Sequence, residues 1–145
     1  MIFFKKNFKK ENPEETKDDI ISVMALLIEA SNIDGDTSEL EIKKIKDMVS
    51  KYFKLDDESI NLIYKSALEL QSQSVSFHNF TSNLNKNYSY EEKINIIEML
   101  WFVVLVDNVE HDFESNLMRR ICGLLYIKDV DSGKIKKTVK EKLNI

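Results

Sequence analysis

The chain has 145 residues, 43% of them hydrophobic and 32% charged, which suits one globular domain that buries most of its apolar surface. Three Gly and one Pro leave nearly all of it free to be helical, and a single Cys excludes an internal disulfide and fits a reducing compartment. The net charge of −4 is unevenly placed: residues 1–10 carry four Lys and no acid, residues 128–145 carry six Lys against three acids, and the body between them is strongly acidic, which disfavours nucleic acid and favours cations or a basic partner.

Residues 1–16 (MIFFKKNFKKENPEET) show no sustained periodicity and read as a basic, aromatic tail. Ile2-Phe3-Phe4 is too short for the apolar centre of a secretory signal. Phe3, Phe4 and Phe8 among four Lys could give weak contact with an anionic membrane surface. One helical domain over 17–145 is expected to follow. The longest apolar stretch, Ile96 to Val106, is about 11 residues, while a bilayer needs about 20. A soluble, cytoplasmic protein is the expectation.

The first helix is predicted over 17–33, with Ile20, Val23, Met24, Leu27 and Ala30 at helical spacing. Asp34-Gly35 ends it, Gly35 being free to take the left-handed conformation that closes a helix. Ser38-Glu39-Leu40-Glu41 is a capping box that starts the second helix, whose stripe is Leu40, Ile45, Met48, Val49, Tyr52 and Phe53. Lys54-Leu55-Asp56 is a break. Asp56 or Asp57 caps a third helix to about residue 72. QSQSVS at 71–76 is a connector. A short helix at 76–86 puts Phe77, Phe80 and Leu84 on one face.

Ser89, with Glu92 three residues on, forms a second capping box and starts a helix that runs to Val106. Its second half, MLWFVVLV, is apolar on every side, which marks the helix that the others enclose. Residues 110–126 form the next helix, with Phe113, Leu117, Met118, Ile121 and Leu125 inward. A last helix, capped at Asp129, fills about 129–143. No segment alternates with period two, so no sheet is expected.

The chain repeats itself. LLIEASNIDGDTSELE at 26–41 aligns with MLWFVVLVDNVEHDFE at 99–114, an offset of 73 positions that pairs Leu27 with Leu100, Asp34 with Asp107 and Glu41 with Glu114. The register extends to Asp56/Asp129 and Ser59/Ser132. The fold class is therefore all-α: about seven helices in a compact single domain, with two helix–acidic corner–helix units in pseudo-two-fold arrangement.

Each corner reads D-[G/N]-x-x-x-x-x-E. In one reading Asp34 and Glu41, and likewise Asp107 and Glu114, satisfy free amides at a helix start and oppose its positive end. Asn108 at the place of Gly35 fits that reading, because Asn is the second choice for a left-handed cap. In the other reading the corners bind a divalent cation, since hard cations want several oxygens. Asp34, Asp36, Ser38, Glu39 and Glu41 are on offer in the first corner; Asp107, Glu110, Asp112 and Glu114 in the second, with His111 suited to a softer metal. Gly at the second position and Glu at the eighth are not the EF-hand pattern, and one corner is too short to wrap an ion. Two adjoining corners could share one.

The duplicated corner, FTSNLN at 80–85, EMLWFVVLVDNV at 98–109 and FESNLMRRICGLLYI at 113–127 closely resemble the TerB-like (tellurite resistance protein B) family, over about residues 20–132. The resemblance implies an all-helical fold of about seven helices and a role in tellurite or other chemical stress. It also implies metal binding through Asp34, Glu41, Asp107 and Glu114. This chain departs from the family at Asp107-Asn108, where Asp-Gly is usual.

No Gly-rich phosphate loop, zinc-type Cys/His spacing or Ser/His/Asp set appears. Cys122 sits in apolar helical context and reads as a small core residue; His78 reads as surface. Trp101 reads as core, with an indole N–H that needs an acceptor. The expectation is a non-enzymatic stress-response module that binds a divalent cation at Asp34, Asp36, Glu41, Asp107 and Glu114, with a protein partner and no nucleic acid. The alternative is a helical interaction adaptor, at the membrane surface through its tail, in which the acids only cap helices.

Overall fold

The computed structural model describes the backbone of residues 13–31, 38–73, 77–106 and 111–145, and side chains from residue 17 onward except 77, 78 and 111–115. Among the described residues there are seven helices and no strand: α1 (Pro13–Ser31), α2 (Glu39–Phe53), α3 (Asp57–Ser72), α4 (Phe77–Asn87), α5 (Tyr90–Val106), α6 (His111–Leu124) and α7 (Asp129–Leu143). None is long and apolar enough to cross a membrane.

Pro13 opens α1, a few residues before the periodic pattern starts. Proline suits that position, because the first amide of a helix has no partner within it and the ring fixes a helical φ. α1 is also more enclosed than its stripe implies. Residues 22–28 (SVMALLI) are all buried, so α1 shares the central place with α5, in which ten residues from Lys93 to Val104 are buried. Around this pair, α2, α3 and α4 pack on α1, and α6 and α7 pack on α5. The two units, α1–α2–α3 and α5–α6–α7, thus meet through their first helices and repeat one packing pattern, first helix against third. α4 is the bridge, touching α1 and α6.

Local chemistry fixes the starts of the helices. The Ser38 hydroxyl accepts the Glu41 amide at 3.2 Å while Glu41 accepts the Ser38 amide at 3.0 Å. Ser89 and Glu92 make the same box at 3.2 and 2.9 Å. Asp56 caps α3 by accepting the Ser59 amide at 2.8 Å, and these hydrogen bonds hold its carboxyl below the usual range.

Two expectations need correction. Asp129 does not cap α7: the cap position is Lys128, which makes no side-chain cap bond, and Asp129 is the first helical residue. The reason is a register drift. α2 and α6 start 72 positions apart, at Glu39 and His111, and the breaks after them keep that offset, not 73. Lys54 and Tyr126 both take the left-handed conformation, φ 58° and 59°. The next residues bond back alike, Leu55 N–H to the Ser50 carbonyl at 2.9 Å and Ile127 N–H to the Cys122 carbonyl at 2.8 Å. Leu40 is the second correction: it is 62% exposed, off the buried Ile45–Val49–Tyr52 stripe and on the face shared by Lys44, Asp47 and Lys51.

Candidate functional site

α1 ends at Ser31, α2 starts at Glu39 and α5 ends at Val106, so these termini bound the two acidic corners. A cavity of about 180 Å³ joins them. Ser31 closes it from α1, Glu41 and Met48 from α2, and Phe102, Val103 and Val106 from α5. Both flanks of the first corner and the leading flank of the second therefore reach one cavity at one end of the fold. Its bed is apolar, and Glu41 and Lys44 supply charge along the α2 side.

Of the five acids expected to bind a cation, Glu41 is the one whose side chain is described. Its carboxylate accepts the Ser38 amide, so capping is one of its functions. Asp34, Asp36 and Asp107 lie outside the described residues. Glu114 is the fourth residue of α6, and its side chain, like that of His111, is not among those described. Among the described residues, no group of three or more His, Cys, Asp or Glu is placed to hold a metal ion.

The opposite end of the fold carries a different chemistry. Asp19, near the start of α1, is fully buried and accepts a hydrogen bond from the Asn87 amide group at 2.9 Å, which ties α1 to the end of α4. The Tyr90 hydroxyl donates to Asp131 at 2.6 Å and accepts the Lys128 amide at 3.1 Å, which ties the start of α5 to the start of α7. Tyr88 is buried near Asp19. Burial first, then the Asp19 charge, pushes its phenol far above the ordinary value. Burial likewise raises Tyr52, against the lowering effect of a hydrogen bond from Asn95. Tyr126, Val130 and Tyr90 are exposed at this end, at 73%, 66% and 38%.

Sequence reasoning missed several of these groups. Asp19 stands one turn before Val23 and on the face of Leu26 and Ala30, a spacing that could have marked it as buried. Lys93 is 8% exposed; its ammonium donates to the Leu125 carbonyl at 2.9 Å and to Asn85 at 3.0 Å, and burial lowers its pKa. Asn85 in turn donates to the Leu124 carbonyl at 2.8 Å. The two side chains together satisfy carbonyls at the end of α6, which the helix itself leaves open. This gives FTSNLN a physical account: Phe80 and Leu84 enter the core and Asn85 holds α6. Glu98, inside the apolar run, pairs with Lys142 of α7 at 3.1 Å.

Trp101 is 5% exposed, and its indole N–H donates to the Ser132 hydroxyl at 3.1 Å, the acceptor that its burial requires. Cys122 is buried, and burial raises its thiol pKa, so it is a core thiol rather than a reactive one.

A family model described as tellurite resistance protein TerB matches residues 20–137. The chain belongs to the TerB family. The match runs from the first buried turn of α1 into α7, so it covers both helix–corner–helix units, α4 and the cavity lined by α1, α2 and α5. No curated protein and no solved structure matches the chain.

Proposed function

We propose that this TerB-family protein is a non-enzymatic, cytoplasmic stress-response module that binds a divalent cation through its two acidic corners, with a protein partner engaged at the same end. The ligands in this reading are Asp34, Asp36 and Glu41 from the first corner and Asp107 and Glu114 from the second. One observation carries it: Ser31, Glu41 and Val106, which flank the two corners, line a single cavity. Corners whose flanking helix ends line one cavity can share an ion that neither is long enough to wrap. The apolar bed beside them gives an apolar side chain of a partner a place to lodge.

Calorimetric titration with Ca²⁺, Mg²⁺, Mn²⁺ and Zn²⁺ tests this reading on the wild type and on Asp34→Asn/Asp107→Asn. The expected result is an ion bound more tightly than about millimolar by the wild type and lost in the variant. Absence of such an ion ends the metal reading.

The interaction adaptor is the second reading, and the Ser38–Glu41 capping box favours it, because that carboxylate is already used. The basic, aromatic residues 1–10 come before α1 in the sequence, and their composition would suit an anionic membrane surface. In this reading the same double variant melts at a lower temperature and no ion titration changes.

A further inference from the structure

A groove of about 210 Å³ lies between α6 and α7, with Trp101 of α5 at its base. Its walls are Met118 and Arg119 on α6 and Ser132, Gly133 and Lys136 on α7. The first unit shows what normally fills this place. At 72 positions earlier, Met118, Gly133 and Lys136 become Lys46, Asn61 and Tyr64. There the Lys46 ammonium donates to Asn61 at 3.1 Å and lies 4.4 Å from the centre of the Tyr64 ring, so side chains bridge α2 and α3. In the second unit Gly133 has no side chain to give, and a Cβ built on it meets nothing within 4 Å. The groove is open because of that exchange.

Its charge is organised. Lys136 lies 5.0 Å from the centre of the Trp101 ring, and Arg119 stands exposed across the groove on α6. Among the described residues neither cation makes an ion pair. The Ser132 hydroxyl, 7% exposed, reaches the base, where it accepts the indole N–H. α7 begins there without a side-chain cap, whereas Asp56 caps α3. Asp129 also borders the groove, and one carboxylate beside two cations disfavours a dianion and accepts a hydrogen-bond donor.

We propose that this groove is a binding site for a small hydroxy- or amino-carboxylate with an apolar side chain. Its carboxylate lies between Arg119 and Lys136, its hydroxyl or ammonium group faces Asp129, and its apolar part rests on Met118 and the edge of Trp101. Charge-assisted hydrogen bonds supply orientation, and the apolar bed supplies burial. The site belongs to the second unit and does not depend on cation binding at the corners.

Trp101 is the chain's single tryptophan, so its fluorescence reports on the groove. The full chain is titrated with 3-phenyllactate, and in parallel with 3-phenylpropanol, which lacks the carboxylate. The expected result is a saturable emission change with 3-phenyllactate alone, weakened at least about tenfold in Gly133→Asn, which restores the side chain of the first unit. Arg119→Gln/Lys136→Gln should weaken it as much. Gly133→Ala, whose methyl meets nothing, is the second filling variant should Gly133→Asn fail to fold, and a smaller weakening is expected of it. No saturable change, equal binding of the alcohol, or wild-type affinity in every filled or charge-neutral variant that folds would overturn the proposal.

Discussion

The two units of this fold keep one backbone plan and differ in how they finish it. After α2 and after α6 the chain turns through a left-handed residue, Lys54 or Tyr126, and bonds back in the same way. The third helix of each unit then opens with the same first bond, from the Ile60 amide to the Asp56 carbonyl at 3.1 Å and from the Ser132 amide to the Lys128 carbonyl at 3.0 Å. The side chains laid on this plan are unlike. In the first unit Asp56 caps α3, and Lys46, Asn61 and Tyr64 close the groove between α2 and α3. In the second, Lys128 offers no cap and Gly133 leaves the groove open. Backbone hydrogen bonds and buried faces constrain both units equally, while the outer groove is where the second could diverge.

The largest expected effect tests whether the units carry the core equally. Leu27 and Leu100 are paired by the sequence repeat, and both are fully buried. Leu27→Ala and Leu100→Ala should each cost about 2–5 kcal/mol, read from urea midpoints. A loss below about 1 kcal/mol in one alone would mean that its unit is loosely packed.

The next effect concerns the buried phenols. Burial raises both Tyr52 and Tyr88, so the folded chain keeps protons that the unfolded chain releases above a pH of about 10. Their contribution is fully present below the ordinary tyrosine pKa and is lost as pH rises beyond it. Urea midpoints should therefore fall on the alkaline side, and Tyr88→Phe should flatten that fall. Tyr90 is exposed and is raised mainly by its hydrogen bond to Asp131, so Tyr90→Phe should change the profile least. An equal flattening by both variants would contradict burial as the cause.

The smallest effect would make the units more alike. Lys128→Ser supplies α7 with the side-chain cap that α3 has, in a backbone conformation already suitable for it. It should add about 1 kcal/mol and raise the melting temperature. An unchanged or lower melting temperature would show that the start of α7 is already satisfied through Tyr90 and its neighbours.

What could be read in advance was what neighbours in sequence decide. Ser38–Glu41 and Ser89–Glu92 face each other across one helical turn, so their hydrogen bonds follow from spacing alone. The apolar run of α5 had to be enclosed, and most of it is, although Phe102 and Leu105 are half-buried and Val106 is exposed. The cap at Asp129 misled because a chance identity at the 73-position offset hid the drift to 72. The drift is already present where α6 starts, 72 positions after the start of α2, and no residue type announces it there. Leu40 misled for a related reason: an apolar residue at a helix start does not show which way its first turn faces. Of the candidate site, the pairing of corner with capping box was legible at Glu41. The cavity beside the ends of α1 and α5 was not, because Ser31, Met48 and Phe102 come from three helices.

The sequence alone determined an all-helical domain, its duplication, its acidic corners and its kinship with TerB, because helix periodicity, capping and motif spacing are local properties. Only the tertiary structure decided that α1 is as central as α5, that Asp19 and Lys93 are buried, and that Gly133 opens a groove which Asn61 and Tyr64 close in the other unit. These depend on which faces meet across helices far apart in the chain, and close packing settles that only when all the helices are in place.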